Sequence, residues 1–178
     1  INALISTEDE RFHKHSGIDA RALLRAIIKR GVMMQKNAGG GSTITQQLAK
    51  QFYSEQAGSV FERLMQKPIE WVIAVKLEKY YTKDEIITMY FNKFDFLNNA
   101  VGIKSASQIY FNKAPNELKV EEAALLVGML QNPTRYNPVR YRTKEASKNR
   151  RNIVLSQMVV NNKLTQAECD SLSALDIT

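Results

Sequence analysis

A chain of 178 residues, 44% apolar and 24% charged, can bury one substantial core and is too apolar for a disordered polymer. Its single cysteine, Cys169, excludes an internal disulfide framework and a multi-cysteine zinc site, while 8 Gly and 4 Pro exclude collagen-like and proline-rich chains. A net charge of +7 favours an anionic partner: nucleic acid, a lipid headgroup or a phosphorylated substrate.

The chain begins at Ile1 without a signal-peptide pattern, as expected of a piece cut from a longer polypeptide. No apolar run approaches the ~18 to 20 residues that cross a bilayer. Helix signals then follow one another. Asp19 can cap a helix carrying Leu23, Leu24, Ile27 and Ile28, ending near Gly31. After a turn-rich stretch to Gly41, Thr43 and Gln46 form a capping box that opens a helix through Lys50. Ser59 with Glu62 opens a long helix to about Tyr81, and Thr82 with Glu85 opens the next, through Met89. Further helices are expected at Val101–Phe111, Val120–Leu130 and Lys144–Asn161, with Thr165 and Glu168 starting a short last one. Period-two alternation of β-branched residues is missing, so the class is all-α. The loosest segments are Gln35–Gly41, Ser54–Gly58 and Asn132–Thr143, where Pro133 and Pro138 break helix. Short spacings leave no interdomain linker, and residues 1–178 read as a single domain. From Arg135 to Arg151 seven basic residues accompany one acid, Glu145; a solvated helix face is the plain alternative to a binding patch.

Three features could carry chemistry. Pro68 to Val75 is apolar on nearly every face, which predicts a central buried helix, yet Glu70 lies inside it. A carboxylate there is costly unless paired or neutral, so Glu70 is either an acid/base candidate or half of a buried ion pair. Glu8-Asp9-Glu10 precedes Phe12 and the histidines His13 and His15; alone it could be a solvated acidic turn. Histidines two apart share no helix face, which disfavours a metal site, and Ser42 has no evident histidine–acid partnership. Gly39 to Thr45 runs from glycines into a helix start whose free N–H groups could hold a phosphate, but it lacks the Gly-Lys-Ser/Thr of nucleotide hydrolases.

In order and spacing these pieces resemble glycosyltransferase family 51, the peptidoglycan glycosyltransferase domain of class A penicillin-binding proteins and monofunctional relatives. Glu8-Asp-x-x-Phe12-x-x-His15-x-Gly17 fits the family's first motif, and Gly40-Gly-Ser-Thr-Ile-Thr-Gln-Gln-Leu-Ala-Lys50 the second. Lys67-x-x-Glu70-Trp-x-x-Ala74-x-x-Leu77-Glu78 fits the third, Ile86 with Tyr90-Phe-Asn92 the fourth, and Gly102-x-x-x-Ala106-x-x-x-Tyr110-Phe-x-Lys113 the fifth.

The resemblance implies a lysozyme-like main lobe with a small mobile jaw touching the membrane. It implies polymerisation of lipid II into β-1,4-linked glycan, with inversion and release of undecaprenyl pyrophosphate. Glu8 would be the base. Lys67 and Lys50 would neutralise the pyrophosphate. Glu70 would either orient those cations or bind a divalent ion such as magnesium or manganese. Ser42, Thr43, Gln46 and Gln47 match positions lining the donor cleft, and Asp9, Phe12, His15, Arg63 and Asn92 complete the expected substrate-binding set. The parent would sit at the extracytoplasmic face of the bacterial inner membrane, anchored by an N-terminal helix, with or without a transpeptidase domain. The partners are then lipid II, the growing strand and the membrane surface, not nucleic acid.

Departures are Gln66 where the family has Arg, with Arg63 a turn earlier as a substitute, Pro68 inside the third motif's helix, where a kink is expected, Ala106-Ser107, Lys104 and Asn112. Two alternatives stand beside this reading. A lysozyme-type glycan-cleaving enzyme would share the helical fold and a cleft glutamate. A basic nucleic-acid-binding module would share the charge but leave Glu70 without a role.

Overall fold

The computed structural model describes residues 1–28, 41–53 and 60–177, the side chains of 60–64 excepted. The expected stop at Gly31, most of the segment 35–41, the segment 54–58, the Ser59–Glu62 cap and the side chain of Arg63 lie outside the described residues. Among the described residues the regular structure is helical; strand pairing is limited to one isolated bridge, Asp95 to Val101. The chain divides into two compact units, Ile1–Glu10 with Phe91–Thr178, and Arg11–Tyr90.

In the first unit, α1 (Asn2–Glu8), α7 (Val120–Met129) and α8 (Tyr141–Val160) pack together, and α9 (Gln166–Ala174) lies on α8. The central buried helix is α7: Ala124 through Leu130 are all buried. Gly128 permits the close approach of α8, since a Cβ there would sit 3.1 Å from the Arg150 side chain. Arg151 is buried, and its Nη2 donates to the carbonyls of Ser173 (3.1 Å) and Leu175 (2.7 Å), satisfying the C-terminal end of α9. The predicted Thr165–Glu168 capping box opens α9, with Thr165 accepting from the Glu168 N–H. On α6 (Gly102–Phe111), Tyr110 donates to the Phe96 carbonyl at 2.7 Å, and burial pushes its phenol up against the opposing hydrogen bond from Asn98.

In the second unit, α2 (Ala20–Ile27) carries the predicted Asp19 cap, whose Oδ1 accepts from the N–H groups of Arg21 and Ala22. Next come α3 (Ile44–Tyr53), α4 (Val60–Tyr80), which packs on α3, and the start of α5 (Lys83–Lys93), opened by the predicted Thr82–Glu85 box.

Three expectations change. Residues 2–8 form a helix that no capping side chain announces, so Glu8 ends a helix and is not part of an acidic turn. The helix expected from Lys144 starts at Tyr141, with Arg140 as its N-cap. The helix expected to be buried on every face has a wet apolar side: Ile69 is 58% and Val72 57% exposed, while Glu70 and Ala74 face inward. That helix runs on through Pro68.

Candidate active site

Glu8 is the last residue of α1, which is fixed by buried Ala3 and Leu4 and by its packing on α7 and α8. Asn161, the C-cap of α8, donates to the Ser6 carbonyl at 3.4 Å. The Glu8 carboxylate is mostly buried and forms an ion pair with Arg150, Oε1 to Nη2 at 3.5 Å. Arg150 is itself only 12% exposed, and its guanidinium lies 6.0 Å from the Tyr136 ring, which Arg135 also approaches at 5.6 Å. A mostly buried carboxylate thus faces a cation that is itself packed. Arg150 is 142 positions from Glu8; the sequence offered it only as one member of the basic run. Asp9 follows Glu8 and is buried.

The first three motifs meet at Gly17. Its φ of +96° is left-handed, and a Cβ would stand 2.8 Å from the Ala74 backbone of α4, so only glycine fits. The Thr43 hydroxyl donates to the Gly17 carbonyl at 2.6 Å and accepts from the Gln46 N–H, while Gln46 Oε1 accepts from the Thr43 N–H. Thr43 and Gln46 are buried, and these polar atoms bond within the protein. Gln47 accepts from the Tyr90 hydroxyl at 2.9 Å. Ser42 is half-buried; Lys50 is exposed and forms no ion pair among the described residues.

A second knot centres on Glu78 of α4, whose side chain is 5% exposed. It accepts from Thr45 Oγ1 (2.6 Å) and Lys83 Nζ (2.7 Å), and Lys83 also donates to the His15 carbonyl. The same ammonium lies 4.3 Å from the centre of the buried Phe12 ring. His15 Nδ1 accepts from the Gly17 N–H at 3.2 Å, leaving its proton on Nε2. Phe12 and His15 therefore help shape this motif junction. Lys83 carries no signal in the sequence; Glu78 was visible only as the motif's last position.

On α4, Lys67 Nζ lies 2.6 Å from Glu70 Oε2, one turn away. The glutamate side chain is 4% exposed and the lysine 42%, so the pair has a dry anionic end and a wet cationic end. A divalent cation at Glu70 would need several further oxygen donors. Among the described residues no group of three His, Cys, Asp or Glu is placed to hold one. The donor set does not fit a protein-built metal cage, and no step below passes through a metal. Asn92 stands exposed on the last turn of α5.

A protein-family model described as Transglycosylase matches residues 1–159. Penicillin-binding protein 2a of Streptococcus pneumoniae is 42% identical over 98% of this chain and 23% of its own length. Penicillin-binding protein 1F of Bacillus subtilis is 38% identical over 88% of this chain and 21% of its own. Penicillin-binding protein 1A of Escherichia coli is 36% identical over 96% and 19%. The chain thus spans about a fifth to a quarter of the length of these relatives.

Proposed function

Because the chain belongs to the transglycosylase family, we propose that it polymerises lipid II into β-1,4-linked glycan with inversion at the anomeric carbon. The observation that carries this is the family match over residues 1–159, within which all five motifs fall.

In this reading Glu8 takes the proton of the acceptor 4-hydroxyl as that oxygen attacks the donor anomeric carbon. The Arg150 ion pair keeps the carboxylate in one orientation for the transfer. The bond to the lipid pyrophosphate breaks, and its electron pair leaves on the phosphate oxygen. A pyrophosphate needs little protonation but much charge neutralisation, which Lys67 and Lys50 supply. Glu70 steers Lys67: a buried carboxylate one turn away pins an ammonium whose other side stays open to an anionic ligand. Ser42 and Gln47 contact the donor, while Thr43 and Gln46 set the α3 terminus on which they stand.

The substrate is lipid-anchored, so the protein works at a bilayer surface, at the extracytoplasmic face of the inner membrane. Among the described residues no helix is long and apolar enough to span a membrane. Exposed apolar side chains support surface docking: Leu24 and Ile27 on α2 with Ile28 at its C-cap, and Met65, Ile69, Val72 and Val75 at helical spacing on α4. These fit the membrane-touching jaw of a lysozyme-like fold. The names of the relatives, and their greater length, support a parent chain that also carries a penicillin-binding transpeptidase domain.

Incubation with labelled lipid II and gel separation of the products tests the reading. Strands longer than the substrate support it; shortening of preformed glycan supports the lysozyme-type alternative.

A further inference from the structure

The basic run at the start of α8 lines a cavity of about 790 Å³, within the size range of small-ligand sites. Its walls carry Arg135, Arg140, Arg142 and Tyr141, with Asn132 and two threonines, and no acidic side chain. None of the three guanidinium groups forms an ion pair among the described residues. Tyr141 is 94% exposed, a flat ring held out to solvent.

The surrounding backbone is built to hold this shape. Asn132 Oδ1 accepts from the Arg135 N–H at 2.9 Å, which leaves its amide donors for a ligand. The fully buried Asn137 accepts from the Val139 N–H at 3.0 Å, and Thr143 Oγ1 donates to the Asn137 carbonyl at 2.6 Å. Arg140 caps α8 and Arg142 is in its first turn, where cations oppose the helix field and acids would be favoured. The placement works against folding stability, and local conflicts of that kind mark function.

We propose that this cavity binds an anionic carbohydrate, with a sugar face on Tyr141 and a carboxylate on the arginine forks. Planar guanidinium groups match a carboxylate through paired N–H donors, and the amide and hydroxyl groups match sugar hydroxyls. The inference rests on the proposed polymerisation, which makes a glycan bearing peptide carboxylates. The ligand is that nascent strand. The cavity lies near Glu8 through one ring: Arg135 in its wall and Arg150, the partner of Glu8, lie 5.6 Å and 6.0 Å from the centre of the same Tyr136 ring.

The test is calorimetric titration of the chain with three probes: a soluble disaccharide-peptide of N-acetylglucosamine and N-acetylmuramic acid, neutral chitotetraose, and a glycerol-phosphate oligomer. The disaccharide-peptide should bind best, with affinity that falls as salt rises. Tyr141→Ala and Arg142→Gln should each weaken it about tenfold, and Arg142→Lys less, because lysine keeps the charge and loses the fork. Circular dichroism checks that these exposed substitutions leave the helices intact. Equal binding by the variants, binding of the phosphate oligomer or of chitotetraose as tight as that of the disaccharide-peptide, or no heat with the disaccharide-peptide would each overturn the assignment. A chain that polymerises lipid II but does not bind the disaccharide-peptide loses this site alone. One that binds it through Tyr141 but never polymerises lipid II loses the proposed function and keeps the site.

Discussion

Replacing Glu70 by glutamine removes one charge and keeps the shape and the acceptor oxygen facing Lys67. In a fully buried ion pair, loss of one partner costs ~3 to 5 kcal/mol because the other charge is stranded. Here the stranded group is a lysine that is 42% exposed and already reaches water. The cost should therefore lie near the upper end of exposed pairs, ~1 kcal/mol. For a chain of 178 residues that lowers Tm by about 2 to 4 °C. The catalytic effect should be much larger. An unpinned ammonium no longer meets the growing charge on the leaving pyrophosphate, and loss of one such stabilising contact costs ~10² to 10³ in rate. Paired measurements of melting by circular dichroism and of lipid II turnover per folded molecule separate the two effects. A Tm drop above 10 °C with unchanged turnover would refute the reasoning and make the pair purely structural.

Gly17→Ala should destabilise the second unit by more than ~2 kcal/mol, because the new Cβ would meet the Ala74 backbone at 2.8 Å in a left-handed conformation; denaturant unfolding measures it. Lys67→Gln should lower kcat and kcat/KM together, while Gln66→Arg, adding a cation beside it, should leave turnover equal or raise it; steady-state kinetics of both variants would show this. Burial pushes the Glu122 carboxyl up, but hydrogen bonds from Lys113 Nζ and the Lys119 N–H outweigh it and hold the group below its ordinary 4.5. Its folded-state value is depressed, so its contribution to stability is present above pH 4.5 and is lost as pH falls through the lower folded value. Lys113→Met should flatten that acid-side slope in urea unfolding curves taken across the range.

Local signals read well from the sequence, and long-range ones did not. Thr43 with Gln46, Thr82 with Glu85, and Thr165 with Glu168 are side-chain caps, and each opens a helix where expected. The two missed starts, at Asn2 and Tyr141, have no side-chain cap hydrogen bond, so neither had a signal to read. The apolar run from Pro68 to Val75 suggested burial all round, because an apolar run does not tell a face covered by protein from one left exposed. Motif spacing singled out Glu8, Glu70 and Lys67, and the ion pair between the last two is a local one that lies one turn apart on α4. Arg150 was not legible, since its partner Glu8 lies far away in the chain, and Lys83, whose ion pair with Glu78 is local, reaches the His15 carbonyl only through the fold.

The most direct test of the account is polymerisation of labelled lipid II by the chain and by its Glu8→Gln form, which keeps a hydrogen-bonding side chain opposite Arg150 but cannot accept the acceptor's proton. The account predicts long glycan strands from the parent. It predicts a rate lowered ~10² to 10⁴-fold in Glu8→Gln, with helical circular dichroism unchanged. Strand formation by Glu8→Gln at the parent rate, or glycan cleavage without elongation by the parent, would contradict it.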